Sequence, residues 1–232
     1  SNVCGLVTPI EEISTLAKEY SAEVVIDCAQ TAGLLNIDLH KVKADYIIFA
    51  GHKTLYGPFG IAGFTISDKS KLRPLIYGGT GIDSANMDLP LEIPQRYEVG
   101  SQNSYSISGL YSALKWINQI GIDNIEQTEK DLLRCIIDII GGYRNITLYV
   151  SANNNKQIGI LSCTFEGYQS SDIGQVLSQN NIAVRTGLHC APNAHKFMGS
   201  DPGGTVRFSL GYFNDKSDIL KLNDVIEQIC FS

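Results

Sequence analysis

Val24-Val25-Ile26-Asp27-Cys28-Ala29-Gln30 and Tyr46-Ile47-Ile48-Phe49-Ala50-Gly51-His52-Lys53 decide how this chain reads. Each opens as a short β-branched or aromatic run and closes on a charged residue, Asp27 in one and Lys53 in the other. Apolar runs of this length, bounded by turn residues, read as buried strands of parallel α/β construction. Neighbouring parallel strands bring their C-terminal ends to one crevice, where open α/β sheets bind ligands. A carboxylate and an amine at two such ends are expected to face the same space.

Outward from these strands the periodicity alternates. Residues 9–20 read as a helix, with Ile10, Ile13, Leu16 and Ala17 at helical spacing after a Thr8-Pro9 start signal. Strands are expected at 24–28, 45–50 and 61–66, and residues 77–100, rich in Gly, Pro and polar side chains, read as a long functional loop. Helices follow at 106–121 and 125–140. Beyond Gly141-Gly142 short strands (146–150, 158–165, 182–185, 206–210) mix with helices (171–180, 216–230), and 153–155 reads as a turn. The expected fold class is α/β, part of a mostly parallel sheet with helices, followed by a smaller α+β C-terminal domain. Domains are expected at 1–121, ending in a linking helix, and at 122–232, although helix 125–140 fits either side.

Bulk properties narrow the function. The 232 residues are 44% hydrophobic, enough for a sizeable core. A net charge of −6 argues against a nucleic-acid partner. No apolar run approaches the roughly 20 residues of a membrane span. The six cysteines lie far apart with no C-x-x-C pair, which points to reduced thiols in a cytoplasmic protein, and no spacing fits a metal site.

Four phrases in order carry a family resemblance: Asp27-Cys28-Ala29-Gln30, Gly51-His52-Lys53, Arg185-Thr186-Gly187-Leu188-His189-Cys190-Ala191-Pro192, and Thr205-Val206-Arg207-Phe208-Ser209 with Phe213-Asn214. Together they resemble the cysteine desulfurase/selenocysteine lyase group of class V aminotransferase-fold enzymes, which use pyridoxal 5'-phosphate (PLP). A Schiff-base lysine with an acidic partner for the pyridinium nitrogen is what that cofactor asks of a protein. The resemblance runs along essentially the whole chain. It places the phrase Ser1-Asn2-Val3-Cys4-Gly5 mid-protein, so a preceding segment of about one domain, ~150 residues, is expected.

What the resemblance implies is specific. Lys53 would carry PLP, with its amine pKa lowered in a low-dielectric pocket. Asp27 would pair with the ring nitrogen, Gln30 with the phenolic oxygen and His52 with the phosphate. Ser101, where the family usually has Thr, would reach the phosphate in the other subunit, which implies a homodimer. Ala50 stands where the family often has Ser or Thr, so one phosphate hydroxyl is lacking. Asn2 would contact substrate or cofactor oxygen. Arg207 would clamp the substrate α-carboxylate, with Arg185 a second candidate or an ordering residue for the Cys190 loop. Cys190 would be the nucleophile that takes sulfur from L-cysteine, with Arg185 and His189 favouring its thiolate, before passing sulfur to an acceptor protein for iron–sulfur or related chemistry.

Singly, each residue also has an ordinary reading: a surface lysine, a turn-capping aspartate, a packed histidine, a solvent-facing strand arginine, a small buried cysteine. At the level of the whole protein the alternatives are a selenocysteine lyase acting on L-selenocysteine, an aminotransferase of the same fold, and a non-catalytic sulfur-transfer partner.

Overall fold

The computed structural model describes residues 1–67, 72–82, 85–153 and 156–231, which leaves most of the expected 153–155 turn and two positions of the 77–100 loop outside the described residues. Packing divides the chain into two compact units, one of Ile10–Gln119 and one combining Ser1–Pro9 with Ile120–Ser232.

The Ile10–Gln119 unit holds α1 (Ile10–Glu19), β1 (Val25–Asp27), β2 (Tyr46–Ala50), β3 (Ala62–Ile66), a single 3-10 turn (Gln95–Tyr97) and α2 (Ser104–Ile120). β1 and β2 pair in parallel, Ile26 opposite Ile47 and Asp27 opposite Ile48. β3 pairs antiparallel to β2, so this sheet is mixed where parallel construction was expected. The strand follows β2 through the tight turn at residues 51–60, a connection too short for a parallel crossover. Asp45 fixes the entry to both strands. One of its carboxylate oxygens accepts from the Val24 N–H at 2.6 Å and pairs with Lys18 at the end of α1. The Lys18 hydrogen bond holds the Asp45 carboxyl below the usual carboxylate range. On one sheet face Ile26 and Ile47 are buried with Cys28 and Val42. On the other, Ile48 and Phe64 are exposed beside Asp27, so these strands are not covered on both faces as a parallel-sheet reading expects.

The second unit holds α3 (Ile122–Ile140), β4 (Ile146–Tyr149), β5 (Ile160–Phe165), α4 (Ser170–Gln179), β6 (Arg185–Gly187), α5 (Pro192–Met198), β7 (Thr205–Ser209) and α6 (Lys216–Phe231). Its strands form an all-antiparallel sheet in the order β4-β5-β7-β6. Strand alternation sorts its side chains. Leu161, Cys163, Val206 and Phe208 point into a core shared with Leu133 and Ile136 of α3, Leu177 of α4 and Ile226 of α6. Ser162, Arg185, Thr205 and Arg207 take the opposite face, with Ser162 and Arg185 both in register with Arg207.

Ser1–Pro9 crosses that opposite face, which is why the expected first domain, 1–121, loses its first nine residues. Leu6 bridges to Gln157, Ile158 N–H donates to Gly5 O at 3.0 Å, and Val7 N–H donates to Lys156 O at 2.8 Å. The Ser162 hydroxyl donates to Val3 O at 2.6 Å, and Val3 is fully buried. Helix α3, ambiguous in sequence, packs on α6 and β5 of this unit, with Leu132, Leu133, Ile136 and Ile140 in the shared core. Among the described residues no helix is long and apolar enough to cross a membrane.

Candidate active site

Asp27 is the last residue of β1, and Lys53 lies three residues past the end of the adjacent parallel β2. Both are exposed, and among the described residues neither has an ion-pair partner. The low-dielectric pocket expected around Lys53 is therefore not formed within this unit, because the lysine sits on an open turn beyond the strand. That turn is tightly built. Gly57 N–H donates to Gly51 O at 2.7 Å, and a Cβ on Gly57 would lie 2.8 Å from that same oxygen, so the close approach requires glycine. The turn leaves His52 and Lys53 directed outward, with His52 stacked on Phe59 at 4.9 Å. Asp27 Oδ1 accepts from the Ala29 N–H at 2.8 Å, which orients the carboxylate and leaves Oδ2 free. Gln30 is half-buried in the turn that follows, and Ser101 is exposed next to Gly100, whose N–H donates to Gly79 O at 2.8 Å.

The other unit gathers Asn2, Arg185, His189, Cys190 and Arg207. Arg185 and Arg207 are cross-strand partners on one face. Like charges so placed repel, and no carboxylate among the described residues pairs with either. Arg185 Nη2 donates to Cys190 Sγ at 3.1 Å. Arg207 Nη1 donates to Asn2 O at 2.7 Å, while its Nε is buried with no partner among the described residues. An unsatisfied guanidinium donor of this kind calls for an acceptor. Burial and the neighbouring Arg185 push the Arg207 pKa down.

Of the six cysteines, only Cys190 is exposed. Burial pushes the Cys163 thiol up to about 12 and raises that of Cys28 as well, which leaves both as structural thiols. Cys190 and His189 both have left-handed backbone, φ 61° and 49°. The His189 ring does not reach the thiol. It is buried, with Nε2 2.8 Å from Thr205 Oγ1, and packs 5.3 Å from the ring of His195. Burial, reinforced by Arg207, lowers its pKa to about 4, so it is neutral near pH 7 and provides no positive charge for a thiolate.

The sequence offers His195 only as part of a conceivable Cys190/His189/His195 metal set, whose spacing fits no zinc pattern. His195 is fully buried, with Nδ1 2.8 Å from Ser200 Oγ. Its signal was position, three residues into the short helix α5 that Pro192 starts and left-handed Gly199 ends.

Residues 1–222 match the aminotransferase class-V family. The chain belongs to that family. Among curated class-V relatives, a "Probable cysteine desulfurase" of Pyrococcus abyssi is 32% identical over 99% of this chain and 57% of its own length. A "Cysteine desulfurase" of Shigella sonnei is 30% identical over 99% of this chain and 56% of its own. The chain thus spans little more than half the length of the curated relatives it matches. Among solved structures, the apo cysteine desulfurase of Thermococcus onnurineus NA1 superposes with a TM-score of 0.92 at 30% identity, covering all of this chain and 58% of that one. A cysteine desulfurase of Escherichia coli reaches 0.90 at 26% identity, covering 98% of this chain and 56% of that one. The class-V fold is therefore shared along the whole chain.

Proposed function

We propose that this class-V protein is a PLP-dependent cysteine desulfurase, converting L-cysteine to L-alanine and retaining the sulfur as a persulfide on Cys190. One observation carries the reading: Cys190 is the single exposed cysteine, with an Arg185 N–H on its sulfur and, on the neighbouring strand, Arg207, whose Nε has no partner among the described residues. The activity named for the relatives supports it.

The residues of the Ile10–Gln119 unit fit PLP by their donor chemistry. Lys53 would hold the aldehyde carbon, Asp27 the ring nitrogen through its free Oδ2, Gln30 the phenolic oxygen, and His52 and Ser101 the phosphate. When bound, PLP supplies an electron sink for the pair released at the substrate carbon.

The remaining steps belong to the protein. Arg207 receives the substrate carboxylate on its Nε–Nη2 edge, since Nη1 is committed to Asn2 O. Lys53 Nζ moves the proton at the substrate α-carbon. The Cys190 thiolate attacks the substrate sulfur, so an S–S bond forms while the substrate C–S bond breaks and its electron pair passes to carbon. Protonation of that carbon gives the alanine methyl group. Cysteine plus the enzyme thiol become alanine plus the enzyme persulfide, and no external oxidant or reductant enters. Arg185, on Cys190 Sγ, orients the nucleophile.

The same reading includes a homodimer through Ser101, a cytoplasmic setting and a sulfur-acceptor protein serving iron–sulfur or related chemistry. The test is the full-length protein with PLP and L-cysteine, assayed for alanine and, with reductant, sulfide. Cys190→Ser is expected to keep the cofactor's visible absorption and lose persulfide. Undiminished alanine from that variant, with persulfide mapped to another cysteine, rejects the assignment.

A further inference from the structure

Asn2 touches both chemical groups of the arginine face. Its backbone carbonyl accepts from Arg207 Nη1 at 2.7 Å, and its side-chain Nδ2 donates to the backbone carbonyl of His189, also at 2.7 Å. The His189 carbonyl and the Cys190 nitrogen belong to one planar peptide. A hydrogen bond to that carbonyl therefore sets the tilt of the peptide from which Cys190 is carried. The position is one that needs holding. His189 and Cys190 lie consecutively in the left-handed region, which non-glycine residues occupy only where their surroundings enforce it. The turn closes locally through Ala191 N–H to Leu188 O at 2.8 Å, and the His189 ring is anchored on Thr205. Asn2 supplies the tie to the peptide itself, from a segment fixed to the sheet at Val3, Gly5 and Val7.

We propose that Asn2 is a positioning residue that holds the Cys190 peptide in register with Arg207, so that the thiol and the carboxylate-binding guanidinium keep a fixed relation. This rests on the desulfurase reading for the reaction it serves. It differs from the direct substrate or cofactor contact that family resemblance implies for this asparagine.

The two roles separate experimentally. Asn2→Ala removes the tie to His189 but keeps the backbone carbonyl that Arg207 uses. Asn2→Leu keeps a side chain of similar size and loses the N–H donor without adding charge beside Arg207. In full-length PLP-loaded protein, both variants are expected to lower kcat for alanine formation from L-cysteine by about five- to tenfold, the scale of one lost hydrogen bond. KM and the cofactor's visible absorption are expected to stay at wild-type values, and hydrogen exchange of the Ala191 amide to rise by about the same factor. Wild-type exchange at Ala191 in either variant overturns the proposal. So does a raised KM or shifted absorption with kcat unchanged, which would make Asn2 a ligand contact. A wild type inert toward cysteine overturns the desulfurase reading instead, and Ala191 exchange then decides by itself whether Asn2 holds the turn.

Discussion

Gly204→Ala tests whether the turn bearing Cys190 depends on the close approach of two backbones. Gly204 has φ +67°, and a Cβ there would lie 2.3 Å from both the carbonyl carbon and oxygen of Gly187 and 2.6 Å from its Cα. Gly199 is the matched control, with φ +73° and nothing within 4 Å of its would-be Cβ. Left-handed backbone alone costs an alanine about 1 kcal/mol, the whole effect expected at Gly199. At Gly204 the collision is with backbone, so it is relieved only by opening the β6–β7 pair where Gly187 meets Thr205. Overpacking of that kind adds ~1–3 kcal/mol, for a total of about 2–4 kcal/mol. At this chain length 1 kcal/mol lowers Tm by roughly 2–4 °C. Thermal melts followed by circular dichroism should therefore show Gly204→Ala melting ~5–15 °C below wild type and Gly199→Ala only ~2–4 °C below. Two variants melting within about 2 °C of each other would refute the steric reasoning.

Lys53→Ala is expected to abolish turnover and the borohydride-reducible link to PLP while leaving the far-ultraviolet spectrum unchanged; a surviving link would assign the cofactor to another lysine. His189 is depressed from 6.5 to about 4 in the folded chain, so the unfolded chain binds the proton first as pH falls. Its contribution to stability is complete above about pH 6.5 and is lost progressively toward pH 4, on the order of 3 kcal/mol in full. Urea midpoints between pH 7.5 and 4 should fall less steeply in His189→Asn, a residue that tolerates the left-handed backbone, and equal slopes would contradict the assignment. Leu161→Ala, at a fully buried position in the centre of the four-stranded sheet, should cost about 3–5 kcal/mol by urea denaturation. A loss under about 1 kcal/mol would mean that this core is not packed as described.

Long periodic segments were legible because their burial pattern is local. Helix α1 at Ile10–Glu19 lies inside the expected 9–20, and α6 at Lys216–Phe231 nearly coincides with the expected 216–230. The direction of β3 was not legible, since an apolar strand reads alike whichever way its neighbour runs. Ile182 and Val184 look like strand residues, yet they pack against the core ahead of β6, and the ladder starts only at Arg185. Helix α5 hid behind Pro192, which ends the phrase of the Cys190 loop and, as proline can, opens a helix. At the site, residue identities were readable one by one, whereas the pairing of Arg185 with Arg207 and the reach of Asn2 to His189 depend on partners far apart in the chain.

The return of the first nine residues to the C-terminal unit has a consequence for biosynthesis. The Ser162 hydroxyl that secures Val3 lies 159 positions downstream. At ~5–20 residues per second, a ribosome takes roughly 8–30 s to make that stretch. Through that interval Val3, buried in the finished protein, has no sheet to cover it. The Ile10–Gln119 segment is made before residues 120–232 and can collapse on its own contacts, while the unit around Cys190 waits for its later strands. The thiol turn is thus among the last of these features to acquire its shape, and the synthesis of that span, rather than any local element, sets the order in which the two units mature.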